Sequence, residues 1–155
     1  MSESELSVPE LMVEHELAIK RLYEVFVDAF PACRELWKRL VDEEQHHADL
    51  LVSLQSTSPH QTLEVLSRFK APPIRVSIGF VEEQTAKARD GRLGLVEALS
   101  LARDLESALL ESHFGKLALA APIEIQPVLM EIAQDTDRHQ QEIAEALAAE
   151  KQRRR

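Results

Sequence analysis

Apolar residues return with helical spacing along four long stretches of this chain, and in every stretch the stripe is interrupted part-way by an ionisable side chain. A helix of about 3.6 residues per turn puts positions three and four apart on one face, so these stripes are the faces that pack inward. The first reads Met12, Glu16, Ile19, Tyr23, Phe26 and Phe30, while Glu10, Glu14, Arg21 and Glu24 share an outward face. The second reads Trp37, Leu40, Glu44, His47, Leu51 and Leu54, with Glu43 and His46 in the register of Arg39 and Ser53. The third reads Leu95, Leu99, Ala102, Glu106, Leu109, His113 and Leu117, with Asp104 and Glu111 on its polar side. The fourth reads Leu129, Ile132, Thr136, His139, Ile143 and Leu147, with Asp135 close to the same seam.

Such a pattern leaves little besides helix. The chain of 155 residues holds four Gly and is 45% apolar and 29% charged, which suits one globular domain rather than a disordered segment. No run of alternating β-branched residues marks a strand, so the expected class is all-α. Ser7-Val8-Pro9-Glu10 has the spacing of a capped start, which predicts a first helix to about residue 29. Pro31 opens the second, which fades near residue 55 at Ser56-Thr57-Ser58-Pro59. Residues 56 to 92 then form a partly helical crossover, broken at Ala71-Pro72-Pro73 and closed at Asp90-Gly91. A third helix is expected from about residue 93 to 119, and a fourth from the turn at Ala121-Pro122 and Gln126-Pro127 to about residue 150. Two hairpins joined by one long crossover give an up-down-down-up four-helix bundle over residues 1–150, followed by a basic tail at 151–155.

Charge and cysteine usage exclude several functions. With 27 acidic against 18 basic residues the formal charge is −9, and Lys151, Arg153, Arg154 and Arg155 concentrate four cations at the end. The remaining body repels phosphate backbones, which argues against nucleic acid as a partner. The tail reads as complement to a helix dipole. Cys33 is the single cysteine and excludes a disulfide scaffold or a Cys-rich zinc module. No apolar run is long enough for a membrane span and Met1-Ser2-Glu3-Ser4-Glu5 is not a signal core, so a cytoplasmic protein without a membrane partner is expected.

Buried carboxylates are costly unless they are paired, protonated or bound to a metal. Glu16, Glu44 and Glu106 converging in one core would repel one another, and two divalent cations would remove that repulsion. Hard carboxylate oxygens with one imidazole each, from His47 and His139, suit iron or manganese. Glu44 and His47 are spaced so that both project from one helix face, and the Glu could bridge two metals while the His binds one. A lone Glu-x-x-His is common by chance; the conjunction across four helices carries the reading. Tyr23, on the face of Glu16, could hydrogen-bond a ligand carboxylate or relay an electron, or be a core tyrosine with a satisfied hydroxyl. For the other ionisable groups plain structural roles are expected: a buried His113 bonded to a neighbouring helix, His15, His46 and His60 on polar faces or in the crossover, and Cys33 as apolar filler.

Glu16-x6-Tyr23, Glu43-Glu44-x-x-His47-Ala48 and a late helical His139 preceded by acidic residues resemble the ferritin-like superfamily, and within it the rubrerythrin-like branch. The resemblance covers nearly the whole chain. It implies a pair of irons held by Glu16 and Glu106 as single carboxylates, Glu44 as the carboxylate of the second helix, and His47 and His139 as imidazoles. It also implies reaction with peroxide or dioxygen, as a peroxidase or ferroxidase, and a homodimer. Manganese could occupy the same ligands, and zinc could replace either ion on purification. The sequence departs from the pattern twice. Thr136 stands where a fourth Glu is expected, with Asp135 as a shorter substitute acting directly or through water. The Cys-x-x-Cys pairs of a rubredoxin-like domain are missing, so reduction would need a separate electron donor. Two other functions fit the same residues: a degenerate bundle with a weakened or lost site that acts as a structural or binding module, and a metal carrier without turnover.

Overall fold

The hydroxyl of Ser7 accepts a hydrogen bond from the Glu10 N–H at 3.3 Å, and Pro9 sits in the first turn where its missing donor costs nothing, so α1 (Val8–Ala29) begins where the capping spacing places it. Pro31 prevents α1 from continuing, and a single turn of tighter helix over Pro31–Cys33 leads into α2 (Arg34–Thr57). Pro59 opens the short α3 (Pro59–Leu66), and Pro72 and Pro73 lie in the first turn of α4 (Ala71–Arg89). Gly91, at φ +71°, turns the chain out of α4 in a conformation that side chains with a Cβ resist. α5 (Leu95–Ala108), α6 (Phe114–Ala120) and α7 (Gln126–Arg153) complete the order. The computed structural model describes residues 5–108 and 113–155, and among these every regular element is helical. No helix among the described residues is long and apolar enough to cross a membrane.

α1 packs along α2 on one side and along α4 on the other, while α5 and α6 lie along α7. Cross-helix pairs set the directions. Lys20 meets Gln45 and Phe26 meets Trp37, so α1 and α2 are antiparallel; His46 meets Glu131 and Arg39 meets Glu142, so α2 and α7 are antiparallel too. The apolar interior falls into two clusters. One contains Ile19, Tyr23, Phe26, Trp37, Leu40, Leu99, Ala102 and Ile143, and the other contains Met12, Leu51, Phe114, Ile125, Leu129 and Ile132. Glu16, Glu44, His47, Glu106, Thr136 and His139 are all buried, and along α1, α2 and α7 they lie between residues of one cluster and residues of the other. The core is therefore two apolar halves with a polar layer between them.

Several expectations from the sequence are revised. The third helix, expected over residues 93–119, is represented by α5 and α6 and begins at Leu95; Leu109 and Glu111, the latter expected on the polar side, lie outside the described residues. His113, expected to be buried, is exposed at the start of α6. His15, expected on a polar face, is buried with Nε2 at 2.7 Å from Ser77 Oγ, because α4 covers that side of α1. The segment expected as a partly helical crossover holds α3 and α4, and α4 buries Ile74, Val81, Gln84, Thr85 and Ala88. The residues expected as a basic tail continue α7 as far as Arg153, with Glu150 paired to Arg153 and Arg154. Cys33 packs against the cluster around Trp37, and burial raises its thiol pKa above the usual value, as an apolar filler requires.

Phe26 has no exposed surface and stacks edge-on against Trp37 with ring centroids 4.8 Å apart. Phe26→Ala should lower the unfolding free energy in urea titrations by about 3 to 5 kcal/mol. Phe80→Ala, at a site 44% exposed on α4, should cost less than about 1 kcal/mol in the same measurement.

Candidate metal centre

Five of the sequence-selected side chains converge in the polar layer. Glu16, Glu44 and His47 form one group of potential metal ligands, and Glu44, Glu106 and His139 form a second, with the ligand atoms of each group within 4.8 Å of one another. Glu44 belongs to both. Its neighbour along the stripe, His47, sits one turn further on α2, and α1, α5 and α7 each bring one further ligand to the same level. His139 Nδ1 is 3.7 Å from Glu44 Oε1 and 3.7 Å from Glu106 Oε2, too far for a hydrogen bond and close enough for a shared cation. Both oxygens of Glu44, Oε2 of Glu106 and Nδ1 of His139 are buried without a hydrogen-bond partner. Buried polar atoms of this kind are rare in native proteins. A set of orphaned carboxylate oxygens and an orphaned imidazole nitrogen facing one another is the donor set a pair of divalent ions would use, so the residues fit the group.

The imidazoles are held from outside the layer. His47 Nε2 meets Asp135 Oδ2 at 2.9 Å, and His139 Nε2 meets Glu43 Oε2 at 2.6 Å. In each ring Nδ1 is then the nitrogen left for the centre. The two rings are inclined at 29° to one another, with centroids 5.7 Å apart. Asp135, which the sequence offers as a substitute ligand, is thus placed on the far side of His47 and is absent from both ligand groups. Glu43, which the helical register puts on an outward face, is half-buried and supports His139. The signal that could have found it is its place directly before Glu44 in a helix whose partner carries a buried His. Thr136 is buried, and its hydroxyl donates to the Ile132 carbonyl of its own helix at 2.8 Å. The position expected for a fourth Glu therefore supplies no carboxylate.

Tyr23 reaches across from α1. Its hydroxyl donates to Glu106 Oε1 at 2.8 Å, leaving Oε2 to face His139. Burial, then the negative charges of Glu106 and Glu44, push the phenol well above its usual pKa, so it remains a donor at any physiological pH. Gln140 donates to the Glu106 carbonyl at 3.1 Å, which ties α5 to α7 at the level of the site.

Electrostatics in the metal-free layer favour protons. Burial, followed by the adjoining charge of Glu106, raises Glu44 well above the ordinary carboxylate range, against the opposing effects of Glu16 and His139. Burial alone would lower His139, but Glu106, Glu44 and Glu43 outweigh it and lift the imidazole to about 9. For Asp135, burial pushes upward, and His47 and Arg138 together draw the pKa below the usual value.

Compared with protein-family models, with curated proteins and with solved structures, the chain matches none. The site accordingly stands on its own geometry.

The His139 shift has a defined sign. A group whose pKa is raised in the folded state contributes stability that is complete below its unfolded value of 6.5 and is lost as the pH rises through about 9. The raised Glu44 carboxyl also makes stability fall as pH rises, beginning above its unfolded value of 4.5. Urea denaturation of metal-free protein should therefore show a decline between pH 6.5 and 9 on the order of 3 kcal/mol, and His139→Gln should flatten it.

Proposed function

We propose that this protein is a dinuclear metal protein of the ferritin-like, rubrerythrin-like type, with its main helices in up-down-down-up order, and that it binds two iron ions and reacts with peroxide or dioxygen. The observation that carries this reading is the sharing of Glu44 between two ligand groups that each have a carboxylate and an imidazole of their own. One group would hold a metal through Glu16 and His47, the other through Glu106 and His139, with Glu44 between them. Manganese would use the same donors. When bound, ferrous iron supplies the two electrons that reduction of a peroxide requires.

The chain's own residues would set how that chemistry proceeds. Tyr23 fixes one oxygen of Glu106 and directs the other inward. His139 must lose its proton before its Nδ1 can bind a cation, so metal uptake releases protons at neutral pH. The flanking apolar clusters keep bulk water from the layer, which strengthens each charge interaction within it. These 155 residues hold a single cysteine, Cys33, so turnover would draw its electrons from a donor outside them. Val76 and Phe80, exposed on α4, are the apolar edge at which a second copy would pack in a homodimer. A second reading, a weakened or lost centre in a structural module, is favoured by Thr136, which offers no carboxylate to the second group's side of the layer. Three carboxylates against two divalent ions leave one positive charge for hydroxide or another small anion to balance.

Metal analysis after anaerobic ferrous loading tests these readings. The wild type should retain about two irons per chain and consume oxidant on exposure to peroxide or air. Glu44→Ala should lose both ions, whereas Glu16→Ala and Glu106→Ala should each impair one. Thr136→Glu should tighten iron binding. A wild type that retains no metal, with Glu106→Ala unchanged or higher in stability, would sink the proposal. Iron held without consumption of oxidant would identify a carrier.

A further inference from the structure

Glu43 and Asp135 each support one imidazole, and they do so crosswise. Asp135 of α7 holds His47 of α2, and Glu43 of α2 holds His139 of α7. Both carboxylates also contact a single cation. The Arg138 guanidinium donates from Nη2 to Glu43 Oε1, and the same nitrogen lies 3.1 Å from Asp135 Oδ1. Its Nε is 3.9 Å from Glu142 Oε1, whose carboxylate is in turn paired with Arg39 at 3.2 Å. Arg138 is therefore the point at which the two supports meet.

From this geometry we infer that Arg138 is a positioning residue for both imidazoles at once, so that one surface side chain sets the orientation of a ligand on each side of the candidate centre. The inference rests on the dinuclear reading above. Its physical basis is independent of which metal binds. Two carboxylates brought to adjacent positions at the α2–α7 seam repel, and each has rotamer freedom that would let its imidazole turn away. A guanidinium stays charged and its Nη2 carries two N–H donors, so this one nitrogen can engage both carboxylates while neutralising them. A lysine ammonium supplies the charge on a side chain one atom shorter, which falls short of the place that Nη2 takes between the two carboxylates. Glu43 and Asp135 each keep one oxygen on Arg138 and the other on an Nε2, which leaves the rings little freedom about their own axes. Loss of such outer partners costs roughly 10- to 100-fold in metal affinity at other histidine sites.

Cobalt(II) titration of the full-length protein, followed by calorimetry and optical absorption, tests this. Arg138→Gln should weaken both binding steps by roughly tenfold or more, with helix content unchanged by circular dichroism. Glu43→Gln and Asp135→Asn should each weaken a single step, and not the same one. Arg138→Lys should keep the fold and fail to restore affinity at both steps. Arg75→Gln, which removes an exposed cation on α4, should leave both steps unchanged. Wild-type affinity in Arg138→Gln, or full rescue by Lys, would overturn the inference. A wild type that binds no cobalt counts against the metal reading alone. The positioning role is then decided on the metal-free protein by nitrogen-15 NMR of the imidazoles. The Nε2 protons of His47 and His139 should both exchange with solvent several-fold faster in Arg138→Gln, and unchanged exchange at either ring would overturn it.

Discussion

Glu16, Glu44 and Glu106 are brought together in a layer that the packing of the helices closes to water, and their mutual repulsion is the constraint on which the rest of the structure depends. Coulomb interactions between such groups are several-fold stronger than they would be in water. The surrounding structure responds at each point. His139 is lifted to about 9 and faces two of the carboxylates, the Tyr23 hydroxyl donates to Glu106, and the Glu44 carboxyl is pushed toward its neutral form. Each response makes the charge tolerable without dispersing it. Apolar side chains of similar size would be the simpler solution for a bundle whose purpose was stability alone.

The fold is arranged around that layer. Two apolar clusters lie on either side of it, and the helices that pass between them change from apolar to polar and back within about two to three turns. α4 seals the outer side of α1 at the level of His15 and Ser77, and α7 seals α2 through the Glu43, Asp135 and Arg138 network. Rigid helices therefore carry the inner carboxylates and imidazoles, while the Nε2 atoms of the imidazoles meet partners at the helix seam. This division is the one expected where geometry has to be held closely: regular elements set position, and outer hydrogen bonds set direction.

The inner set was legible because it follows from one period. Glu16, Glu44, His47, Glu106 and His139 each lie in register with apolar neighbours three and four residues away, and burial of the stripe carries them inward with it. Glu43 was not legible in that way. One residue from Glu44 is a rotation of about 100° around the helix, which predicts an outward side chain, and only the approach of α7 turns that position into a seam. The period places Asp135 close to the core but does not fix its partner, because a short carboxylate can face either the centre or the back of an imidazole. The burial of His15 escapes the period for a related reason. A helix face is polar or buried according to what lies against it, and the crossover helix that covers α1 is far away in sequence.

By itself, then, the sequence determined the helical class, the capped and proline-marked starts of the helices, and the five carboxylate and imidazole side chains of the polar layer, since all of these depend on neighbours within a few residues. The tertiary structure decided which of those groups share a level, that Glu44 is common to two sets, that Thr136 turns its hydroxyl back to Ile132, and that Arg138 joins the supports of both imidazoles. These are matters of how helices are rotated and staggered against one another. That stagger is set by packing between residues distant in the chain, which no local period encodes.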